Sequence, residues 1–404
     1  MTSSPTVRIA AVASTAAVLL ATAACGGSSS GKQSSSTKTD NGPIKVMVEG
    51  AISGPIYALP EMVTGAKAGV ARINSEGGIN GRKLQLVVCD DQGNPNKGAA
   101  CGRQAASDGV VALVGGLSIY DDNLLPPLEK AGIPYIASYD ISNSDHTSPV
   151  SFPININVID YAGIGYMLAK RGCKSAAGLA PNQGGEAIIK KDLSYVSSEF
   201  LKKGGQKFQN IIFPLTATDL TSAVATAITK GADCIALITG PQQTVAALTA
   251  LKKSGKNLPA DTNLATVVPA LFAPLKLAAG QFTVNGAYFS PGPGQTNPAV
   301  TQFVADMKAQ NASGPAAAAD TLAENAYNAV LIFAQAAKGL ASVTAKTVFQ
   351  AMQTLKTDTG LTPPVDFGAT PPFADHPRDR VTTEVPYTWT GTALQQSGDT
   401  FQVP

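Results

Sequence analysis

The chain has 404 residues and 41.2 kDa, roughly three times the commonest single-domain length, so two domains are the starting expectation. Apolar residues make up 44% and charged residues 14%, against about 25% charged in an average soluble protein; this excludes a disordered chain, a coiled coil and a basic nucleic-acid binder. Thirty basic against 28 acidic residues leave a net charge of +2, with no electrostatic footprint for DNA, RNA or an acidic membrane surface.

The N-terminus carries an address. Residues 1–8 are polar with a single Arg8, and Ile9 to Ala24 form an apolar stretch too short to span a bilayer comfortably, the length of a signal-peptide core. Residues 1–24 are expected to be removed. The segment ends Leu20-Ala21-Thr22-Ala23-Ala24-Cys25-Gly26, which resembles a bacterial lipobox and implies a lipidated Cys25 as the new N-terminus. Thr22 stands where that pattern prefers Leu, and ordinary cleavage after a small residue is the alternative. Gly26 to Gly42 is Gly/Ser/Thr/Lys-rich with no apolar residue, so 25–42 reads as a solvated tether.

From Pro43 short β-branched runs alternate with longer helical stretches, the signature of parallel sheet covered by helices on both faces. Strands are predicted at Ile44–Val48, Leu84–Val88, Val110–Val114 and Pro134–Ala137. Between the first two, Met62, Ala66, Val70 and Ile73 share one face of a helix over Leu59–Ser75, which Gly77-Gly78 stops. A second series follows, with strands at Ser175–Ala180, Phe208–Phe213, Asp233–Ile238 and Leu264–Val268. Helices over Glu186–Lys203, Asp219–Lys230 and Gln242–Ser254 separate them. One more strand is predicted at Ala287–Ser290, then helices at Pro298–Gln310, Ala316–Lys338 and Thr344–Leu355, and a last strand at Val385–Thr390. The fold class is α/β, with two doubly wound parallel sheets.

With Cys25 set aside, Cys89, Cys101, Cys173 and Cys234 are an even number in a chain expected to be exported, which favours two disulfides among three connectivities. The expected pairs are Cys89–Cys101, across one local loop, and Cys173–Cys234, at the starting edges of strands that neighbour each other in a doubly wound sheet. A zinc site or a reduced, buried set are the alternatives. The two histidines, His146 and His376, lie in polar surroundings and leave little material for a metal cage or a catalytic triad, so no metal, cofactor or catalytic residue is expected. No dinucleotide, phosphate-loop, zincin or nucleophile-elbow string occurs. Asp121-Asp122 after Ser118 reads either as a paired-carboxylate site or as acids placed at a helix start.

Ser53-Gly54-Pro55, Gly65-Ala66, Ala71-Arg72-Ile73-Asn74 and Glu76-Gly77-Gly78-Ile79-Asn80-Gly81-Arg82 carry a resemblance. With Leu84 to Asp91 and Asn94-Pro95, they resemble the opening of the type I periplasmic binding proteins of the leucine/isoleucine/valine-binding family. Gly115-Gly116-Leu117-Ser118, Ala131 to Ile136, Thr218-Asp219-Leu220, Gly231-Ala232-Asp233, Asn297-Pro298 and Ala326-Tyr327-Asn328-Ala329 extend it to the C-terminus. The resemblance implies two lobes, 43–154 with 291–377 and 155–290 with 378–404, joined by a hinge of three crossings near Ile154, Ser290 and Pro377. It implies a small ligand trapped between them, contacted by Tyr57, Ser118, Ser138, Tyr139, Ser142, Gln183 and Gln242.

Two departures bear on that ligand. Asn182-Gln183-Gly184-Gly185 stands where the family often has an aromatic-Gly pair, and Pro269-Ala270-Leu271 where an acid would meet a ligand ammonium. Asp140 or Asp121 is left as a substitute for that acid; otherwise the ligand lacks an amine. The implied function is an exported, lipid-anchored monomer that delivers a branched-chain amino acid or a related amphipathic carboxylate to the permease and ATPase subunits of an ABC importer. A ligand sensor of the same fold and a secreted hydrolase using Asp121 or Asp122 are the rival readings.

Overall fold

The computed structural model describes residues 42–54, 58–183, 185–310 and 320–403. The expected signal peptide, Cys25 with nearly all of its tether, and Tyr57 lie outside the described residues. The first sheet is built from β1 (Ile44–Gly50), β2 (Leu84–Asp90), β3 (Ala112–Leu117), β4 (Tyr135–Asp140), β5 (Ser151–Phe152) and β6 (Asn155–Ile156). Between these strands run α1 (Glu61–Ser75), α2 (Pro95–Ser107), α3 (Asp121–Ala131) and the single turn α4 (Asn143–Thr147). The strand order is β2-β1-β3-β4-β5, with β6 also on β4 and every pair parallel. Helices cover both faces, which is why Val46, Met47 and Val48 are all fully buried instead of alternating in and out. Local signals set the ends: Asn94 caps α2 ahead of Pro95, and Gly132, in the left-handed region at φ 64°, stops α3.

The second half holds α5 (Asn157–Lys170), β7 (Ser175–Asn182), α6 (Glu186–Lys202), β8 (Lys207–Pro214), α7 (Thr221–Thr229), β9 (Cys234–Leu237) and α8 (Pro241–Lys253). It continues with β10 (Ala260–Asn263), α9 (Pro269–Phe272) and β11 (Phe282–Gly286). The chain then returns to the first sheet through α10 (Pro298–Ala309), α11 (Thr321–Ala337) and α12 (Ala345–Met352), followed by the hairpin β12 (Lys356–Thr357) and β13 (Val365–Asp366). α11 packs against α1, β3 and β4. A third passage delivers β14 (Thr383–Trp389), β15 (Leu394–Gln396) and β16 (Phe401–Gln402) to the second sheet, ordered β15-β14-β11-β10-β9-β7-β8 with β14 antiparallel to β11. Asn325 of α11 ties the passages together: its amide donates to the Ala137 carbonyl at 2.8 Å, and its oxygen accepts from the Tyr288 hydroxyl at 2.7 Å and from Asn155 Nδ2 at 3.2 Å.

Both expected disulfides are present, Cys89–Cys101 and Cys173–Cys234, with Cα atoms 5.8 and 6.0 Å apart. Two strands lie elsewhere than expected. The predicted strand Leu264–Val268 starts instead as a 3-10 turn over Leu264–Thr266, and the strand is β10, Ala260–Asn263. Likewise β11 is Phe282–Gly286, ahead of the predicted Ala287–Ser290. Polar residues fill β10 and still lie inside, because the Thr283 hydroxyl donates to Asp261 and the Thr262 hydroxyl to the Leu237 carbonyl at 2.8 Å. No helix among the described residues is long and apolar enough to cross a membrane.

Candidate functional site

Both sheets reverse their strand order between the first and third strands, at β1/β3 and at β7/β9. Loops diverge at such a point beyond the carboxyl ends of the strands and leave a crevice there, the usual ligand position in open α/β sheets. In the first sheet, Ser53 and Gly54 follow β1 and Ser118 follows β3. The N–H groups of Ile52 and Ser53 donate to Asp90 Oδ1 at 3.0 and 3.1 Å, and the Ser53 hydroxyl bonds the other oxygen, so the start of that loop is held down. Beside it lies a shallow recess lined by Ser53, Gly54, Gln92, Asn94 and Lys97. In the second sheet, Gln183 follows β7 and Gln242 opens α8 after β9. Both glutamines are exposed, and their strands are paired neighbours, so the two amides flank the second switch point.

The first-sheet hydroxyls named by the sequence are turned inward. Ser118 is fully buried, donating to Asp91 Oδ2 at 2.5 Å and accepting from the Tyr120 N–H at 3.1 Å. It is thus not the cap of α3, whose N-cap is Tyr120. Ser138 on β4 is equally buried and pairs with the Ser151 hydroxyl at 3.2 Å. Ser142 caps α4 in a capping box with Asp145. Tyr139 is 3% exposed, and burial followed by the nearby Asp160 and Asp140 holds its hydroxyl well above the usual tyrosine range. Beside the exposed glutamines, the loops present apolar side chains outward. Of seven large exposed hydrophobics among the described residues, Ile119, Ile141 and Leu215 follow β3, β4 and β8, and Ile188 lies in the first turn of α6 after β7. Val88, Leu201 and Leu271 lie elsewhere, the last beside Phe272, which packs on Phe282 at the amino end of β11, so four of the seven gather at the carboxyl edges of the two sheets.

The acids do the opposite. Glu49, Asp91, Asp121, Asp140 and Asp145 are each fully buried behind the first-sheet loops. Burial, reinforced by Asp145 and Glu49, holds Asp121 well above the usual carboxylate range; burial and then Asp91 do the same for Glu49. Asp140 accepts the Asn157 N–H at 2.7 Å. Asp121 and Asp140, the acids left by the sequence as substitutes, both lie inside, away from the loop surface. The Asp121-Asp122 pair also parts company, since Asp122 accepts the Ser144 N–H at 3.0 Å while Asp121 points inside. Composition counts such acids but gives no sign that they fold inward, so this inner layer was missed.

The second sheet repeats the pattern. Burial pushes Asp261 up to about 8 and Glu384 to about 7, while Asp160, buried beside Glu384, lies well above the usual range. Each group binds its proton more tightly folded than unfolded, so the stability it contributes is complete below the unfolded value of about 4 and is lost as pH rises through the folded one. The melting temperature should accordingly fall as pH rises from about 4 to about 8, and Asp261→Asn should flatten that slope. Scanning calorimetry across this range checks it; a melting temperature that holds or climbs toward pH 8 refutes it.

Comparison with known proteins places this architecture. A family described as periplasmic binding protein matches residues 43–379. The Leu/Ile/Val-binding protein of Escherichia coli is 43% identical over 75 residues, 18% of this chain and 20% of that protein, so the match spans about a fifth of the curated relative's length. Among solved structures, a fatty acid ABC transporter substrate-binding protein from Thermomonospora curvata superposes with a TM-score of 0.72 at 18% identity, covering 90% of this chain and 93% of the other. A branched-chain amino acid transporter substrate-binding protein from Streptococcus pneumoniae, in complex with isoleucine, gives 0.68 at 17% identity over 89% and 99%. At these identities the two structures speak for the fold, and the family match over residues 43–379 speaks for descent: this chain belongs to the periplasmic binding protein family.

Proposed function

We propose that this chain is an exported, lipid-anchored solute receptor whose two lobes, 43–154 with 291–377 and 155–290 with 378–404, close on a small amphipathic carboxylate lacking an amine and deliver it to the permease and ATPase of an ABC importer. The observation that carries the ligand class is the outward face of the carboxyl-edge loops. Ile119 and Ile141 on one sheet and Ile188 and Leu215 on the other offer aliphatic surface, Gln183 and Gln242 offer neutral amides, and Asp121 and Asp140 lie inside. An ammonium brought there without an acid is costly, whereas an alkyl or aryl body gains by leaving water. Lys97, at the recess beside Ser53, supplies a cation for the carboxylate. Ser118, Ser138, Tyr139 and Ser142 then act mainly as the frame of the first lobe's binding loops, with Tyr57 and the two glutamines as direct contacts. Cys25 is the lipid attachment, and the protein works as a monomer.

Calorimetric titration of the full chain with fatty and aromatic carboxylates, alongside leucine, isoleucine and valine, tests this reading. Trp389 pairs with Leu394 and abuts the amino end of β11, away from the loops, so heat is a more direct readout than fluorescence. A carboxylate should saturate while the amino acids stay silent, and Ile141→Ser should weaken binding by about tenfold, the worth of roughly one buried aliphatic group. Saturation by leucine alone would defeat the carboxylate reading. The mass of the N-terminal peptide from membrane-extracted protein checks the anchor: a diacylglyceryl group on Cys25 is expected, and an unmodified cysteine refutes it.

A further inference from the structure

The chain has two histidines, and the fold brings them into contact. His146 lies on α4, over the first sheet, and His376 in the passage leading to β14; their ring centroids are 4.0 Å apart at 62°. Asp379 joins them, with its Oδ2 3.1 Å from His146 Nδ1 and 3.1 Å from His376 Nδ1. His146 and Asp379 are 233 positions apart, whereas His376 and Asp379 share one tight turn closed by the Asp379 N–H to the His376 carbonyl. That turn is pinned to α4, because the Arg378 N–H donates to the His146 carbonyl at 3.0 Å. The Arg378 side chain points away, donating to the Ser151 carbonyl.

We propose that His146, His376 and Asp379 form a transition-metal site of the zinc class that clasps the third interlobe passage to the first sheet. Two imidazoles and one carboxylate are the donor set of three-ligand zinc sites, which keep a fourth position open. Tetrahedral bonds of 2.0–2.2 Å place neighbouring ligand atoms about 3.3–3.5 Å apart. The contacts to Asp379 already lie at 3.1–3.3 Å, and one ligand atom from each residue falls within 4.8 Å of the other two, so small side-chain shifts complete the triangle. Two further groups point the same way. Asp140 Oδ2, fully buried, pairs with His146 Nδ1 at 3.2 Å and so helps to hold that ring in place. His376 Nε2 lies 3.2 Å from the Tyr195 hydroxyl on α6, the outer hydrogen bond that orients a metal-bound imidazole. His146 retains 12% side-chain exposure, which leaves an entry path. Through Tyr195 the metal also meets a helix of the second half, so its occupancy sets how the two halves are held.

Titration of the full, chelator-treated chain with Zn²⁺ by calorimetry, and with Co²⁺ by visible absorption, tests the site. One equivalent should bind, with the intense d–d bands of tetrahedral cobalt. His146→Gln and His376→Gln should each abolish those bands, and Tyr195→Phe should weaken zinc binding by about tenfold. His146→Gln sits on a short, partly exposed turn, so it keeps the test informative if a substitution at His376 fails to fold. Absence of heat and of cobalt bands in folded wild-type protein would overturn the proposal, and so would zinc binding that survives both histidine substitutions unchanged.

Discussion

Gly65→Ala should destabilise the protein by about 3 kcal/mol, although helix propensity alone promises a gain of about 1 kcal/mol. Gly65 lies on the face of α1 that meets α11, and a β-carbon there would stand 2.0 Å from the Ala323 carbonyl oxygen and 2.8 Å from its Cα. Both obstacles are backbone, so no rotamer relieves them and one helix must move. Gly69, one turn on, would place a β-carbon 2.9 Å from Val330 Cβ, a milder clash. Across the same helix Gly115 of β3, at φ +63°, would put one 2.5 Å from Ala326 Cα. Small residues on α1 and β3 thus let α11 settle deeply between them. Gly98 on α2 is the control: a β-carbon there meets nothing closer than 3.7 Å, so Gly98→Ala should be neutral or stabilising. Urea midpoints at unchanged slope measure both. Equal shifts for the two variants would refute the close approach of α1 and α11.

Replacing Cys173 and Cys234 together by serine should cost about 4 kcal/mol, against about 3 kcal/mol for the Cys89/Cys101 pair, because the loop freed in the unfolded chain is longer. The separations are 61 and 12 positions. The larger figure is reinforced by place: Cys173 and Cys234 are 4% and 1% exposed, among Ile164, Leu168, Leu193 and Phe200, and Cys234 pairs with Ala176 at the start of β7. Two hydroxyls would then be buried where a bridge had been. Cys101 is also buried, but its partner Cys89 is not. Equilibrium unfolding of the two double variants orders them, and a larger loss at Cys89/Cys101 would refute the loop argument.

Much of this architecture is legible in the chain because the period of its apolar residues changes with the element. Met62, Ala66, Val70 and Ile73 mark α1, and the run from Leu84 marks β2. The Cys173–Cys234 pairing follows from strand adjacency in a doubly wound sheet, and Cys89–Cys101 from closeness along the chain. The failures share one cause. β10 reads Ala-Asp-Thr-Asn and contains no large apolar residue, yet all four residues are buried, with Thr262 bonded to β9 and Asp261 to β11. The apolar run after it attracted the strand assignment but turns away as a 3-10 segment. The inward turn of Ser118 and Ser138, the layer of buried acids and the meeting of His146 with His376 likewise arise from partners far along the chain. No local pattern reports such pairings.

The passage of the chain between halves also dictates an order of assembly. The seat between α1 and β3 is filled only once residues 321–337 exist as α11, and the second sheet gains its antiparallel neighbour only with β14, at 383–389. Neither half can finish its core from the segments that precede it, and such long-range closures are slow. A chain emerging N-terminus first is thereby kept from locking shut early. The bridge between Cys173 and Cys234, 61 positions apart, can form only as the second sheet closes.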